Sequence, residues 1–182
     1  SLKPYPYDPA RAKALLAQAH FNSSTTLTFT IDGTDSVFKQ VAEVIVAELQ
    51  QVGITVNLQT VATTVLYNTD IPKGKYGDMA EFVWGGWTLD FDNTAYSLYY
   101  TGQVYNPGYS NPTMDSLLTA ARSTLDQARR LSLYKQIDAI LYRDVPNAAM
   151  YQTVNLWAES TNVHNFIAAP DDRLVLHDVY LQ

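Results

Sequence analysis

Residues 27–58 constrain the fold more than any other part of the chain. Leu27, Phe29 and Ile31 alternate with threonines, which is the period-two pattern of a half-buried strand. Residues 32–35 turn the chain. Val37, Val41, Ile45, Leu49 and Val52 then follow a helical stripe, and Gly53 stands where a C-terminal glycine cap belongs. Ile54, Val56 and Leu58 alternate again as a second strand. Strand, long helix and strand make a βαβ unit, whose strands are expected to run parallel with a right-handed crossover. The fold class that follows is α/β, a sheet with flanking helices.

The rest of the chain supplies elements around that unit. Asp8-Pro9 reads as an N-cap followed by a first-turn proline, and Ala12, Leu15, Leu16 and Ala19 give a helix over 9–19. A short helix is expected over 63–67 and a loop over 71–77. A strand is expected over 79–84, with Phe82 to Trp84 buried. A further short helix is expected over 94–100, and irregular chain over 102–109. Asn111-Pro112 repeats the cap-plus-proline start, with Met114, Leu117, Leu118 and Ala121 as its apolar face. Asp126 opens another helix, with Leu131, Tyr134, Ile137 and Leu141 inward and Pro146 at its end. Residues 148–157 read as a strand, and 162–182 as a weakly alternating tail without a core of its own.

With 182 residues, 47% of them hydrophobic, the chain can bury one real core. The formal charge is -6 and the twelve basic residues are scattered apart from Arg129-Arg130, which argues against a nucleic-acid partner. There is no cysteine, hence no disulfide or thiolate metal site. No apolar run is long enough to span a membrane, and no signal peptide is read. Thirteen tyrosines against six phenylalanines fit a binding surface, since tyrosine joins apolar area to a polar tip; half-buried strands favour it too.

Residues 82–92, Phe-Val-Trp-Gly-Gly-Trp-Thr-Leu-Asp-Phe-Asp, carry the clearest chemical signal. Gly85 and Gly86 open the backbone for close approach, Trp87 offers a flat surface and Asp90 a fixed negative charge. That combination suits an organic ligand bearing an ammonium or several hydroxyls. The same residues also fit a core strand ending in a turn, with Asp90 capping the next helix. Other chemistry is missing. His20, His164 and His177 are far apart in sequence and none has metal-ligand spacing. Asp90 and Asp92 lack further acidic ligands nearby for a cation. Gly85-Gly86 is no phosphate loop and Gly108-Tyr109-Ser110 no nucleophile elbow. Lys73 and Lys75 read as solvated charge. No nucleophile, base and oxyanion site assemble, so no enzyme is expected, and neither a cofactor nor a metal.

Five segments in order resemble the C-terminal part of family 5 extracytoplasmic solute-binding proteins, the peptide, dipeptide, nickel and oligosaccharide receptors of ABC importers. Tyr5-Pro-Tyr-Asp-Pro-Ala-Arg-Ala-Lys-Ala-Leu-Leu-Ala-Gln-Ala19 resembles Y-x-Y-D-P-x-K-A-K-x-L-L-x-E-A-G, with His20 for the usual glycine. Residues 41–56 follow A-x-x-I-x-x-x-L-x-x-I-G-I-x-V. Gly86-Trp87-Thr88-Leu89-Asp90 matches G-W-x-x-D. Residues 109–118 match Y-x-N-P-x-x-D-x-L-L, and Arg129-Arg-Leu-Ser-Leu-Tyr134 through Pro146 matches R-x-x-L-Y followed by a helix and an aspartate-valine-proline end. Asn93 and Thr94 stand where many members have Asp-Pro.

The resemblance implies a periplasmic-binding-protein-like second lobe, with a mixed sheet, a βαβ unit and flanking helices. Residues 1–160 would form the ligand-binding lobe, and 161–182 a tail returning toward another lobe of a longer receptor. It implies a peptide held between closing lobes, ABC permease subunits as partners, and an extracytoplasmic location. Asp90 would receive the ligand's ammonium. Gly86, Trp87 and Thr88 would hydrogen-bond its backbone, and Trp84, Asn93 and Tyr109 would complete the site. Lys73 and Lys75 are further candidates, for a ligand carboxylate. An oligosaccharide stacked on aromatics such as Trp84, Trp87, Tyr99, Tyr100 and Tyr109 is the alternative within the family. A ligand sensor without transport is the alternative outside import. A nickel complex fits less well, because no histidine or arginine lies near the signature.

Overall fold

A computed structural model describes residues 2–85, 88–106, 108–154, 156–171 and 173–182. Two compact units divide the chain: Ser1–Val83 with Ser97–Ser116, and Trp84–Tyr96 with Leu117–Gln182.

The first unit is built on the βαβ segment. Strand β1 (Thr26–Asp32) lies between β2 (Thr55–Val61) and β3 (Met79–Ala80), and both pairings are parallel. Register runs from Thr26 opposite Thr55 to Asp32 opposite Val61, with Phe29 opposite Met79. A central parallel strand is covered on both faces. Accordingly Phe29, Thr30, Ile31 and Asp32 are all buried, and Ile31 is 0% exposed. The buried polar groups are satisfied: Thr30 Oγ1 donates to the Tyr76 carbonyl at 2.8 Å, and Asp32 Oδ1 accepts from the Thr34 N–H and hydroxyl.

Helix α2 (Ser36–Gln51) starts at Asp35, whose carboxylate accepts from the Val37 and Phe38 N–H groups. It ends before Gly53, which adopts φ +92 as the cap requires. Its buried stripe sits one residue later than the sequence suggests at the start. Phe38 and Ala42 are buried and Val37 is exposed. Ile45, Val46, Val56, Leu58 and Met79 close this core around Phe29, Ile31 and Ala42. Helix α1 (Pro9–Gln18) is capped by Asp8. The short α3 (Thr63–Val65) runs into a π-turn over Leu66–Asp70. Gly77 adopts φ +79 where the chain presses on β1; a Cβ there would lie 2.6 Å from Thr28 Cβ.

The expected strand over 79–84 stops at Ala80. The Glu81 N–H still reaches the Thr30 carbonyl at 3.1 Å, but the register leaves only Asp32, the last residue of β1, to face Phe82 and nothing to face Trp84. The Tyr67 hydroxyl replaces a neighbouring strand there, accepting the Val83 N–H at 2.8 Å. Phe82 and Trp84 are half-buried and Val83 is exposed.

Helix α4 (Phe91–Tyr99) begins three residues earlier than expected, and α5 (Pro112–Arg122) follows Asn111, whose Oδ1 accepts from the Thr113 and Met114 N–H groups. In the second unit α6 (Gln127–Asp144) is capped by Asp126 and closed by Val145 at φ +46 before Pro146. Among the described residues, Ala95, Leu118, Ala121 and Ile137 are the buried apolar residues of the second unit. On α6, Leu133 turns inward and Leu131 outward, because Leu133 shares the Ile137 face at the i,i+4 spacing.

Residues 148–157 form no strand among the described residues. Val154 and Leu156 are exposed, since β-forming side chains make a strand only where a neighbour completes the ladder. In the tail, β4 (Val163–His164) and β5 (Tyr180–Leu181) form a short antiparallel ladder, with His164 stacked on Tyr180 at 5.0 Å. Both strand directions are therefore present, in separate ladders. No helix among the described residues is long and apolar enough to cross a membrane.

Candidate ligand-binding site

Asp90 stands at the head of α4. Its Oδ1 accepts the Asp92 N–H at 2.8 Å, and its carbonyl accepts the Asn93 N–H at 3.2 Å. It therefore caps the helix, where the N-terminal dipole favours negative charge. Leu89, just before it, is held at φ +55, an uncommon conformation for a bulky residue. The Thr88 hydroxyl accepts the Asp90 N–H at 3.3 Å across that turn.

The first turn of α6 supplies the partner of Asp90. Arg130 Nη1 donates to Oδ2 and Nη2 to Oδ1, each at 2.7 Å, a two-pronged pairing that fixes the carboxylate plane. Arg130 is itself tied on two sides. Its Nε donates to the Ala121 carbonyl at 3.3 Å, and its Nη2 to the Tyr134 hydroxyl at 3.0 Å. Phe91 meets the Tyr134 ring edge-on at 5.1 Å.

A second pair lies beside the first. Arg122, in the last turn of α5, donates to Asp92 at 2.9–3.2 Å. Its guanidinium stands 3.6 Å over the Tyr96 ring. Arg122 also lies where the C-terminal dipole of α5 favours a cation.

The electrostatics follow from these contacts. The Arg130 hydrogen bonds hold the Asp90 carboxyl below its usual range, and the same bonds push Arg130 further up. Asp92 raises Arg122 in the same way. Burial raises the Tyr134 phenol. A carboxylate has about four acceptor positions. Among the described residues, Asp90 accepts two bonds on Oδ1 and one on Oδ2, which leaves one acceptor direction on Oδ2 for a donor, and the side chain is 41% exposed.

Of the residues singled out in sequence, Gly86 and Trp87 lie outside the described residues. Trp84, Thr88, Asp90 and Asn93 share the second unit. Tyr109 belongs to the first, where Asn106 brackets its backbone N–H and carbonyl at 2.9 Å. Lys73 and Lys75, also in the first, are exposed. Among the described residues no cluster of His, Cys, Asp or Glu could hold a metal ion.

One premise is corrected. Arginine is absent near the signature along the chain but present in space, because α6 carries Arg130 back from forty positions away. The R-x-x-L-Y spacing held the clue, since it puts Arg130 and Tyr134 on one helix face.

The sequence model of the bacterial extracellular solute-binding proteins, family 5 Middle, matches residues 1–106. The chain belongs to this family. Among curated relatives, the glutathione-binding protein GsiB of Escherichia coli K12 is 26% identical over the whole of this chain and 37% of its own length. The oligopeptide-binding protein AppA of Bacillus subtilis, solved with a nonapeptide, superposes with a TM-score of 0.84 at 21% identity, over 100% of this chain and 39% of its own. That likeness establishes the fold. The periplasmic binding protein DppA of Helicobacter pylori, solved with the peptide STSA, gives a TM-score of 0.73 at 27% identity, over 80% of this chain and 29% of its own. The chain thus spans 37% of the length of the curated relatives it matches. All three relatives are binding proteins by name.

Proposed function

We propose that the chain is the ligand-gripping part of an extracytoplasmic receptor that captures peptides between two closing lobes for an ABC importer. The observation that carries this reading is Asp90: a carboxylate fixed in plane, partly exposed and, among the described residues, with one acceptor direction unused on Oδ2. A peptide's α-ammonium is the donor that fits it. The peptide ligands named for AppA and DppA, and the glutathione of GsiB, are of the same class.

Thr88, Gly86 and Trp87 continue the site as backbone partners for an extended peptide, which would be read with little regard to side chains. Trp84 and Asn93 flank it. Residues 161–182 act as the tail that returns toward the other lobe. Their exposed Ile167, Leu174 and Leu176 are surface that a further lobe would cover. Permease subunits are the protein partners, and binding is stoichiometric, without turnover.

Native mass spectrometry of the full-length receptor, released gently from its own cells, tests this. A bound peptide mixture that disappears in Asp90→Ala is expected. An oligosaccharide ladder would overturn the peptide assignment and move the main contacts to Trp84 and Trp87. Chemically altered ligand would overturn the receptor assignment.

A further inference from the structure

The Asp90 carboxylate does not meet a ligand as a bare charge. Arg130 neutralises it with two parallel bonds, and the Ala121 carbonyl and Tyr134 hydroxyl hold Arg130 in turn. The groups facing Asp90 are Arg130 and Tyr134 from α6 and Asp92 on its own helix, the last held by Arg122 of α5. Long-range attraction for any passing cation is therefore small, while the directed lone pair on Oδ2 remains.

We propose that Arg130 is the positioning and specificity-determining residue of the site, making Asp90 select ligands by one directed hydrogen bond and not by net charge. This rests on the reading of Asp90 as the ammonium acceptor. The ligand class is then narrower than "cation": a primary ammonium, which has N–H donors, is accepted. A quaternary ammonium of equal charge is refused, because it cannot donate to Oδ2. The Arg130 fork is what a lysine cannot reproduce, since an ammonium is a point charge without the planar pair of donors.

Calorimetry on the full-length receptor tests this with two probes, the peptide Ser-Thr-Ser-Ala and the same peptide with an N-terminal trimethylammonium. It is paired with a carboxyl ¹³C titration of Asp90 in the ligand-free receptor. In the native protein the free amine should bind at least about tenfold tighter than the quaternary form, the scale of one hydrogen bond to a charged group. Arg130→Gln should narrow that preference by exposing a bare charge, and should raise the Asp90 midpoint toward or above 3.8. Arg130→Lys should keep the midpoint low yet weaken the free amine about tenfold. Arg129→Gln, which removes an exposed neighbouring charge, should change none of these.

The failures separate. If Asp90→Asn leaves free-amine binding unchanged, the ammonium-acceptor reading falls and this inference with it. If Asp90→Asn weakens binding while both Arg130 variants keep the native preference and titration, the reading stands and Arg130 is merely structural. If Arg130→Gln does not fold, the preference and affinity of Arg130→Lys decide.

Discussion

The βαβ segment and the head of α4 are ordered by opposite means. The first hides Ile31, Phe29 and Ala42 completely or nearly so and uses polar groups only where a hydrogen bond awaits them. The second leaves its charged groups partly in water and holds them by pairing Asp90 with Arg130 and Asp92 with Arg122. Burial gives stability, whereas paired charge gives geometry at little net gain. A receptor needs both: a scaffold that does not yield, and a polar site that remains accessible.

Four substitutions sharpen that contrast, all read by urea unfolding. Ile31→Ala should cost most, about 2–5 kcal/mol, because β1 is covered on both faces and cannot collapse onto the gap. Gly77→Ala should cost about 1–3 kcal/mol, since the new methyl must share space with Thr28 in a left-handed conformation. Arg122→Ala should cost about 1 kcal/mol or less, its side chain being 47% exposed and its pair screened. Leu156→Ser should fall within about 0.5 kcal/mol of zero, because that side chain is 92% exposed. An Arg122→Ala loss matching that of Ile31→Ala would break the comparison.

Acid gives an independent check on the paired region. Arg130 lowers the folded Asp90 carboxyl, so its stabilising effect is fully present above the unfolded value of 3.8 and is lost as pH falls through the lower folded value. In the βαβ segment, burial works to raise Asp32, but the hydrogen bonds from Thr34 and Thr63 outweigh it, and the net shift has the same sign. Unfolding followed by aromatic absorbance should therefore begin below pH 3.8. Loss of structure well above that value would contradict both assignments.

Most of the βαβ segment was legible because its signals are local. Period two, period 3.6, an Asp cap and a Gly stop all lie within a few residues of the elements they define. The errors came where a partner decides. Phe82 and Trp84 have strand-forming side chains, but β1 leaves only its last residue, Asp32, to face Phe82 and nothing to face Trp84. Val154 and Leu156 read as strand for the same reason and stand exposed. In the site, Asp90 announced itself beside the signature glycines. Arg130 did not, because only the packing of α4, α5 and α6 joins residues forty positions apart. Read for periodicity alone, α6 also put Leu131 inward, whereas Leu133 takes the face of the buried Ile137.

The junction between α5 and α6 has an engineering consequence. Leu125 there is 97% exposed, and such a loop tip is ordinarily where inserted residues are tolerated. Just beyond it, Asp126 caps α6 and Arg130 follows one turn later on the same helix. One residue added between them would swing Arg130 by about 100° around the helix axis relative to its cap. The chain would then have to give up either the cap or the Asp90 fork. Length variation among natural or designed versions of this chain should therefore be absorbed before Asp126, leaving the first turn of α6 fixed in register although solvent reaches most of it.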